Sequence, residues 1–471
     1  MPFRRLIPCV ASFILLGASA LVPNCSAQPY HWRFALSGSW TSVAFNPRSN
    51  GQVIFAGPDF VAGIFRSDDG GHTWVEHDSL LDPNGFPISG IAQVFVLPSD
   101  TNIVFGISDS RLYRSTDGGF TWDDRYNDDT LLDLGGVDGE TMGYNAAEDA
   151  IYYGETYGRG LWRSTDKGAN WTLLTPNHDT LEEFDALGVS QGLPGLNGAA
   201  PIILQSTFQY GNIARSSDLG QSWAVTLHPP GENREVPKIV FSWNALNPVT
   251  LEPTIAIVQR WRTADTSFLA TPDGGLTWQI LAGAPADVWG LDIDQRTSML
   301  SKPGDPAYPR PLHFFTGFFE VNQDTIPNGL VQETTDGGIF WHSTGFPKGV
   351  AGDTSNPHTD AVWVIKYDTS SGRLAVATDS GVYIGDPASG AVDEPLPTPT
   401  IQLMQDAGSV TLSSPMPIES VHLFDILGRE TFQSTPMQGV FQLNTSQYPP
   451  GVYAIEAYIE GQPPFRKLLE W

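Results

Sequence analysis

The chain has 471 residues, with 25 Lys and Arg against 52 Asp and Glu and a formal net charge of −27 at pH 7. That excess of acid excludes nucleic acids and anionic membrane surfaces as partners, since both carry the same sign of charge. The two cysteines, Cys9 and Cys25, both fall within the first 27 residues, so beyond them disulfides, thiolate nucleophiles and Cys-ligated metals are excluded.

Residues 1–27 carry Arg4 and Arg5, an apolar run from Leu6 to Val22 and the small-residue end Cys25-Ser26-Ala27. This pattern predicts a secretory signal peptide cleaved after Ala27. Its apolar part is too short for a stable anchor, and no transmembrane helix is expected in the mature chain. The next stretch, Tyr30 to Leu36, reads as a strand with no partner before it. Four short strands follow, Trp40 to Phe45, Gln52 to Ala56, Gly63 to Ser67 and Thr73 to Glu76, separated by Gly, Pro and Asn.

An octapeptide joins the third and fourth of these strands. Its pattern, Ser/Thr-x-Asp-x-Gly-x-Thr-Trp, begins at Ser67, Ser115, Ser164, Ser216, Thr271 and Thr334, and successive Asp residues lie 48 to 63 positions apart. A period of that size with turn residues inside it predicts a repeat architecture. Asp followed by Gly marks a hairpin, because glycine accepts positive φ and the carboxylate takes hydrogen bonds from the turn. Asp69, Asp117, Asp166, Asp218, Asp273 and Asp336 are therefore expected to be structural, and each following Trp is expected to bury its ring between units.

After the sixth copy, Ala361 to Tyr367, Arg373 to Thr378 and Gly381 to Gly385 repeat the first three strands once more without a fourth. Tyr30 to Leu36 is predicted to supply it, pairing with Gly381 to Gly385 and removing the open edges. The expected fold is all-β, a seven-bladed β-propeller over 28–386. A Pro-rich linker over 387–399 and a small immunoglobulin-like β-sandwich over 400–471 complete it.

The octapeptides resemble the Asp-box repeat of β-propellers of the sialidase and sortilin kind, found also in xyloglucan-degrading hydrolases and photosystem assembly factors. The resemblance implies that the boxes lie on the face opposite the ligand site. It is specific for fold and poor for function. In the last segment, Leu423-Phe424-Asp425-Ile426-Leu427-Gly428-Arg429 and Pro450-Gly451-Val452-Tyr453 resemble the C-terminal sorting domain of the type IX secretion system. The Pro-Asn-Pro opening common in that family is missing, and the basic tail is reduced to Arg466-Lys467. What this resemblance implies is export by that machinery from a Bacteroidetes-like bacterium, to the medium or the outer-membrane surface.

Function is sought on the loops entering each inner strand and joining second to third strands. Aromatic and arginine residues there, Phe60, Tyr157, Arg159, Phe208, Tyr210, Arg260, Trp261 and Phe318, suit a glycan or protein ligand. Acidic residues near the starts of inner strands, Glu140, Asp185, Asp287, Asp292 and Asp360, are the candidates for a glycosidase carboxylate pair. Arg66, Arg114, Arg163 and Arg215, immediately before the boxes, sit in the wrong part of the blade for a sialidase-type arginine clamp. Xyloglucan hydrolases typically use two propellers, whereas one is expected here. The histidines are scattered and no phosphate-binding helix follows the turn glycines, so neither a metal nor a cofactor is expected. A structural Ca²⁺ in the acidic loop 123–129 is left open. The primary expectation is a secreted, non-catalytic binding or adhesion propeller; the alternatives are a carbohydrate-active glycoside hydrolase and a surface assembly scaffold.

Overall fold

The computed structural model describes residues 30–388 and 402–470 apart from 61–62, 78–79, 81–89, 109–111, 125–139, 155–159, 176–183, 191–199, 208–211, 228–235, 237, 243–255, 260–267, 282–284, 286–287, 296–311, 319–320, 323–328, 339, 348–358, 407, 419, 426–429, 436–437, 450 and 459–464. The signal-peptide and linker segments of the sequence reading lie outside these residues, except for the linker's first two positions.

Apart from one short 3-10 turn, the described elements are strands. β1 (Tyr30–Ser37) stands alone at the start. β2 (Trp40–Phe45), β3 (Ile54–Pro58), β4 (Ile64–Ser67) and β5 (Val75–His77) form the first antiparallel sheet. The second contains β6 (Ile91–Val96), β7 (Val104–Ser108), β8 (Leu112–Ser115) and β9 (Asp123–Asp124), and the third β10 (Met142–Asn145), β11 (Ala150–Gly154), β12 (Leu161–Ser164) and β13 (Thr172–Thr175). The fourth contains β14 (Phe184–Val189), β15 (Ile203–Thr207), β16 (Ile213–Ser216) and β17 (Ala224–Leu227), and the fifth β18 (Lys238–Phe241), β19 (Ala256–Gln259), β20 (Phe268–Thr271) and β21 (Gln279–Ile280). In the sixth, β22 (Val288–Ile293), β23 (Phe314–Phe318), β25 (Val331–Thr334) and β26 (His342–Ser343) pair in order, while β24 (Val321–Asn322) leaves the sheet to pair with β27 (Thr359–Asp360).

These six sheets are six propeller blades of consecutive strands. One further sheet is composite, ordered β1, β30 (Gly381–Pro387), β29 (Arg373–Thr378) and β28 (Val362–Asp368). The first strand of the chain pairs antiparallel with β30, Tyr30 opposite Pro387 and Ser37 opposite Gly381, as the sequence suggests.

Burial follows position within a blade. The second strands β3, β7, β11 and β23 are buried at every residue, whereas the outermost β21 and β26 are exposed. Each sheet presses its apolar side chains onto the next. Phe55 and Ile64 of the first sheet cluster with Val94 and Tyr113 of the second, and Phe105 and Leu112 of the second with Ile151 and Tyr153 of the third. The series ends with a large cluster in which Phe268, Phe314, Phe315, Val376 and Tyr383 join the fifth, sixth and composite sheets.

The octapeptide turns are hydrogen-bonded in the same way throughout. In the first, Asp69 Oδ1 accepts from the Ser67 hydroxyl at 2.8 Å and from the His72 and Thr73 amides at 2.9 and 2.8 Å. Its Oδ2 accepts from the Thr73 hydroxyl at 2.7 Å, and the Ser67 oxygen accepts from the Gly71 amide at 2.8 Å. Asp117, Asp166, Asp218 and Asp273 repeat this with Thr121, Asn170, Ser222 and Thr277. In the sixth copy Phe340 stands in the hydroxyl place, and Asp336 accepts from the Thr334 hydroxyl and the Phe340 amide. Burial raises the Asp117 carboxyl, but the donors crowded around it favour its charged form and hold it down to about 2.

The arginines before the boxes find their use here. Arg66 donates to the Gly118 carbonyl in the next blade's turn, Arg114 Nε to the Lys167 carbonyl at 2.8 Å, and Arg215 Nε to the Gly274 carbonyl at 2.8 Å. For the composite sheet the donor is Arg33, which reaches the Gly71 and Gly70 carbonyls at 2.5 and 2.7 Å. Arg163 turns back onto its own sheet instead, binding Glu148 at 2.9 Å. At the matching places the fifth and sixth sheets carry Ala270 and Glu333. The sheet after Glu333 is composite, and its third and fourth strands come from opposite ends of the chain, so no turn joins them to receive an arginine. Glu333 instead meets the His313 ring at 2.9 Å.

In the C-terminal segment, β31 (Gln402–Asp406), β32 (Ser409–Ile418) and β35 (Gln438–Asn444) form one sheet. β33 (Ser420–Asp425), β34 (Glu430–Ser434), β36 (Val452–Tyr458) and β37 (Phe465–Glu470) form another. Val410, Leu412 and Leu443 of the first share one apolar core with Val421, Leu423, Ile455 and Leu469 of the second.

Candidate functional site

Antiparallel order puts the connections between second and third strands, and those entering the first, at the end of the propeller away from the octapeptide turns. One carboxyl from each of two adjacent sheets lies there. Asp59 follows β3, and Asp379 sits in the turn between β29 and β30. Both turns are tied to Gly38-Ser39, the dipeptide between β1 and β2. The Gly38 amide donates to the Ser380 carbonyl at 3.2 Å, while the Asp59 amide donates to the Ser39 carbonyl at 3.1 Å. The Ser39 hydroxyl donates to Asp59 Oδ2 at 3.2 Å.

Thr378 stiffens the second turn, its oxygen accepting from the Ser380 and Gly381 amides at 3.2 and 3.1 Å. Gly38 is required where it stands: its φ is +121°, and a Cβ there would come to 3.3 Å from Trp40 Nε1.

The two carboxyls have different surroundings. Partial burial pushes Asp59 up from the usual aspartate value, the Ser39 hydrogen bond opposes this, and the charge of Asp379 adds to the rise. Asp379 receives the Trp363 indole N–H on Oδ1 at 2.6 Å. Trp363 lies in β28 and meets Trp289 of β22 edge to face, centroids 6.0 Å apart. Phe60, beside Asp59, is 79% exposed. A carboxyl raised above its usual value, a second carboxyl and exposed aromatic surface are parts that acid-catalysed cleavage of a glycosidic bond uses.

A second charged group lies in the centre of the ring. Lys366 of β28 reaches Glu140, just before β10, at 2.5 Å, and Lys238 of β18 approaches the same oxygen at 3.4 Å. Burial raises the Glu140 carboxyl, but the two ammonium groups overcome this and bring it down to about 2. Asp292 in β22 accepts from the Tyr367 amide at 2.6 Å. Its burial outweighs the nearby Lys366, and its carboxyl is pushed up to about 6.

Several sequence candidates fall differently. Glu140 is a fixed anion in an ion pair, suited to charge compensation and not to carrying a proton. Phe318, expected to face a ligand, is 6% exposed and packs in the core with Phe315 and Val331, because β23 is buried along its whole length. Asp185 lies in β14 and Asp360 in β27, but their side chains are outside the described residues, as are Asp287, Tyr157, Arg159, Phe208, Tyr210, Arg260 and Trp261. Asp123 and Asp124 of the acidic loop form β9, opposite Arg114 and Tyr113, and the rest of that loop is outside the described residues. Among the described residues no group of three or more His, Asp, Glu or Cys is placed to hold a metal, and no helix is long and apolar enough to cross a membrane.

Sequence reading missed Asp59 and Asp379 because it drew acids only from the starts of inner strands. The signal was present: each acid directly follows the apolar run of a second strand, Ile54 to Pro58 and Leu374 to Thr378.

No protein-family model matches the chain. Among curated proteins it is 28% identical over 263 residues to the xyloglucanase Xgh74A of Acetivibrio thermocellus, covering 47% of this chain and 30% of that protein. A Paenibacillus xyloglucanase is 26% identical over 266 residues, covering 47% and 25%. The chain thus spans less than a third of the length of these relatives. Among solved structures, the GH74 xyloglucanase of Xanthomonas campestris superimposes with a TM-score of 0.54 at 17% identity, covering 82% of this chain and 60% of that one. The GH74 enzyme of Niastella koreensis gives 0.56 at 14%, covering 93% and 67%. At these identities the structural likeness establishes the propeller fold.

Proposed function

We propose that the chain is a carbohydrate-active propeller of the glycoside hydrolase type, cleaving a neutral polysaccharide of the xyloglucan kind outside the cell. The observation that carries this reading is Asp59 and Asp379 in the two turns tied to one dipeptide at the end of the ring away from the octapeptide turns, with Asp59 raised above the usual aspartate value by partial burial. Asp59 gives its proton to the glycosidic oxygen as the bond to the anomeric carbon breaks. Asp379 meets the positive charge developing on the sugar, and one water adds its oxygen to the anomeric carbon while giving a proton to a carboxylate of the pair, which completes the hydrolysis. The net charge of −27 disfavours acidic glycans, while Phe60 and Trp363 offer the apolar faces that neutral sugar rings cover. The sequence relatives, named as xyloglucanases, support the substrate class.

Purified protein incubated with xyloglucan and other neutral glucans should release reducing ends. Asp59→Asn and Asp379→Asn should each lower kcat/KM by at least about 100-fold, the scale of a lost acid or base. Absence of release from every glucan would sink this reading. Retention on a glucan column without turnover would then establish the binding propeller in its place, a reading favoured by the short span of the xyloglucanases that the chain covers.

The remaining assignments belong to the same proposal. The composite sheet serves as the seventh blade, residues 1–27 as the export leader and 387–399 as the linker. The immunoglobulin-like C-terminal sandwich, 400–471, serves as the sorting domain for type IX secretion. Removing 400–471 should leave the propeller folded and trap it inside the outer membrane; normal export of the truncated chain would refute the sorting role.

A further inference from the structure

Three charged side chains meet at the centre of the ring, and they come from sheets that are not next to one another. Glu140 enters the third sheet, Lys238 opens β18 of the fifth, and Lys366 lies in β28 of the composite sheet. Both ammonium groups converge on one oxygen, Glu140 Oε1, at 2.5 Å from Lys366 and 3.4 Å from Lys238. The Lys238 side chain is 3% exposed and that of Glu140 16%, so little water shares these charges. Burial raises the Glu140 carboxyl, but the two ammonium groups outweigh it and keep the carboxylate ionised.

The sheets in between fix where the three side chains start. The Leu187 amide of the fourth sheet donates to the Glu140 carbonyl at 2.9 Å. The Ser206 hydroxyl, also of the fourth, donates to the Val236 carbonyl at 2.8 Å, two residues before Lys238. Asp292 of the sixth accepts from the Tyr367 amide at 2.6 Å, one residue after Lys366. In an array whose units touch only their neighbours, one joint can open while the others hold. A contact across the axis changes this. Swinging the composite sheet outward would pull Lys366 from Glu140 and strand buried charge, a far larger cost than the net worth of the paired cluster.

We propose that Glu140, Lys238 and Lys366 form an axial strut that couples the joints of the ring, so that it opens as one unit and not sheet by sheet. The role is conformational. Buried paired charges add little net stability over apolar side chains of the same size, but they penalise every arrangement that separates them. The proposal is independent of any catalytic activity.

The experiment is native-state hydrogen exchange on the full chain in the wild type, Lys366→Met and Glu140→Met/Lys238→Met/Lys366→Met. It follows three amides bonded across joints. Val94 donates to Ser42 Oγ between the first and second sheets, Thr141 to Gln93 Oε1 between the second and third, and Tyr367 to Asp292 between the sixth and composite. In the wild type their protection factors should agree within about threefold, as expected of one cooperative unit. Lys366→Met should lower all three by at least about 100-fold, the scale of a buried pair that has lost one member. The triple variant strands no charge, so its stability to denaturant should return close to that of the wild type, while protection at Tyr367 falls at least about tenfold below that at Thr141. Wild-type protection factors spread over more than about tenfold, or a common value kept in the triple variant, would overturn the strut. So would a triple variant less stable than Lys366→Met, since the cluster would then supply stability and not coupling. Should Lys366→Met fail to fold, the wild type and the triple variant decide.

Discussion

Two arcs of the ring are held together by different means. From the composite sheet through the first, second and third, and again from the fourth to the fifth, an arginine on one sheet grips a backbone carbonyl in the next sheet's turn. From the fifth through the sixth to the composite sheet the arginine positions hold Ala270 and Glu333, and aromatic rings take over. Phe268 stacks on Trp341 at 5.5 Å, Trp341 meets Phe314 at 5.1 Å, Trp32 meets Phe346 at 4.8 Å and Phe315 stacks on Tyr367 at 4.8 Å. A turn is necessary for the arginine device but not sufficient. At the composite sheet the turn is missing, whereas the sixth sheet keeps its octapeptide turn and the fifth sheet carries Ala270 in place of the arginine. At both joints large apolar surfaces meet.

The largest test of that contrast removes residues 28–37. This takes out β1, with Tyr30 and Trp32 from the aromatic arc and Arg33 from the arginine arc. A loss of at least about 5 kcal/mol is expected, from the buried Tyr30 ring, the half-buried Trp32 ring and a strand's pairing. An unchanged melting temperature would show that β1 does not close the ring. Next in size, Trp341→Ala should cost about 3–5 kcal/mol in denaturant unfolding. A cost near 1 kcal/mol would place the strength of that arc elsewhere.

pH separates the arcs more gently. Burial pulls the His313 imidazole down, but hydrogen bonds to Asp294 and Glu333 overcome this and hold it up at about 9. This folded value lies above the unfolded one near 6.5, so its stabilisation is complete below about pH 6.5 and is lost as pH rises through 9. Asp117 runs the other way: its folded value is depressed to about 2, so its contribution is present above about pH 4 and lost as pH falls through 2. Thermal unfolding across pH should therefore show an alkaline decline that disappears in His313→Gln, with the acid decline unchanged. If both declines persist in that variant, the histidine is not the alkaline group. The smallest effect is expected for Arg215→Met, about 1–2 kcal/mol for one charged donor on a carbonyl. Arg163→Met, which breaks a pair within one sheet, should leave the joint between third and fourth sheets as strong as before.

Much of the fold is legible in the sequence because it is written locally. Six Asp residues with their Ser or Thr and Gly neighbours announce their own turns, and the strand at Tyr30 announces itself by lacking a partner. The arginines before the boxes are visible as a recurrence, but their purpose depends on a turn some 50 residues on in the neighbouring sheet. Glu140 looks like a free acid until Lys366, distant in sequence, is brought against it by the closing ring. Phe318 looks like a loop aromatic because the burial of β23 depends on the composite sheet beside it. The site is hidden for the same reason: Asp59 and Asp379 are 320 positions apart, and nothing short of closure makes them neighbours.

The Gly38-Ser39 dipeptide ties two sheets, and residues more than 300 positions apart, to one point. It follows the first strand directly, holding the Asp379 turn with one residue and Asp59 with the next. A chain whose β28 to β30 have yet to fold has both acids and no alignment between them, so the Asp59 and Asp379 turns take their places only when β1 docks on β30.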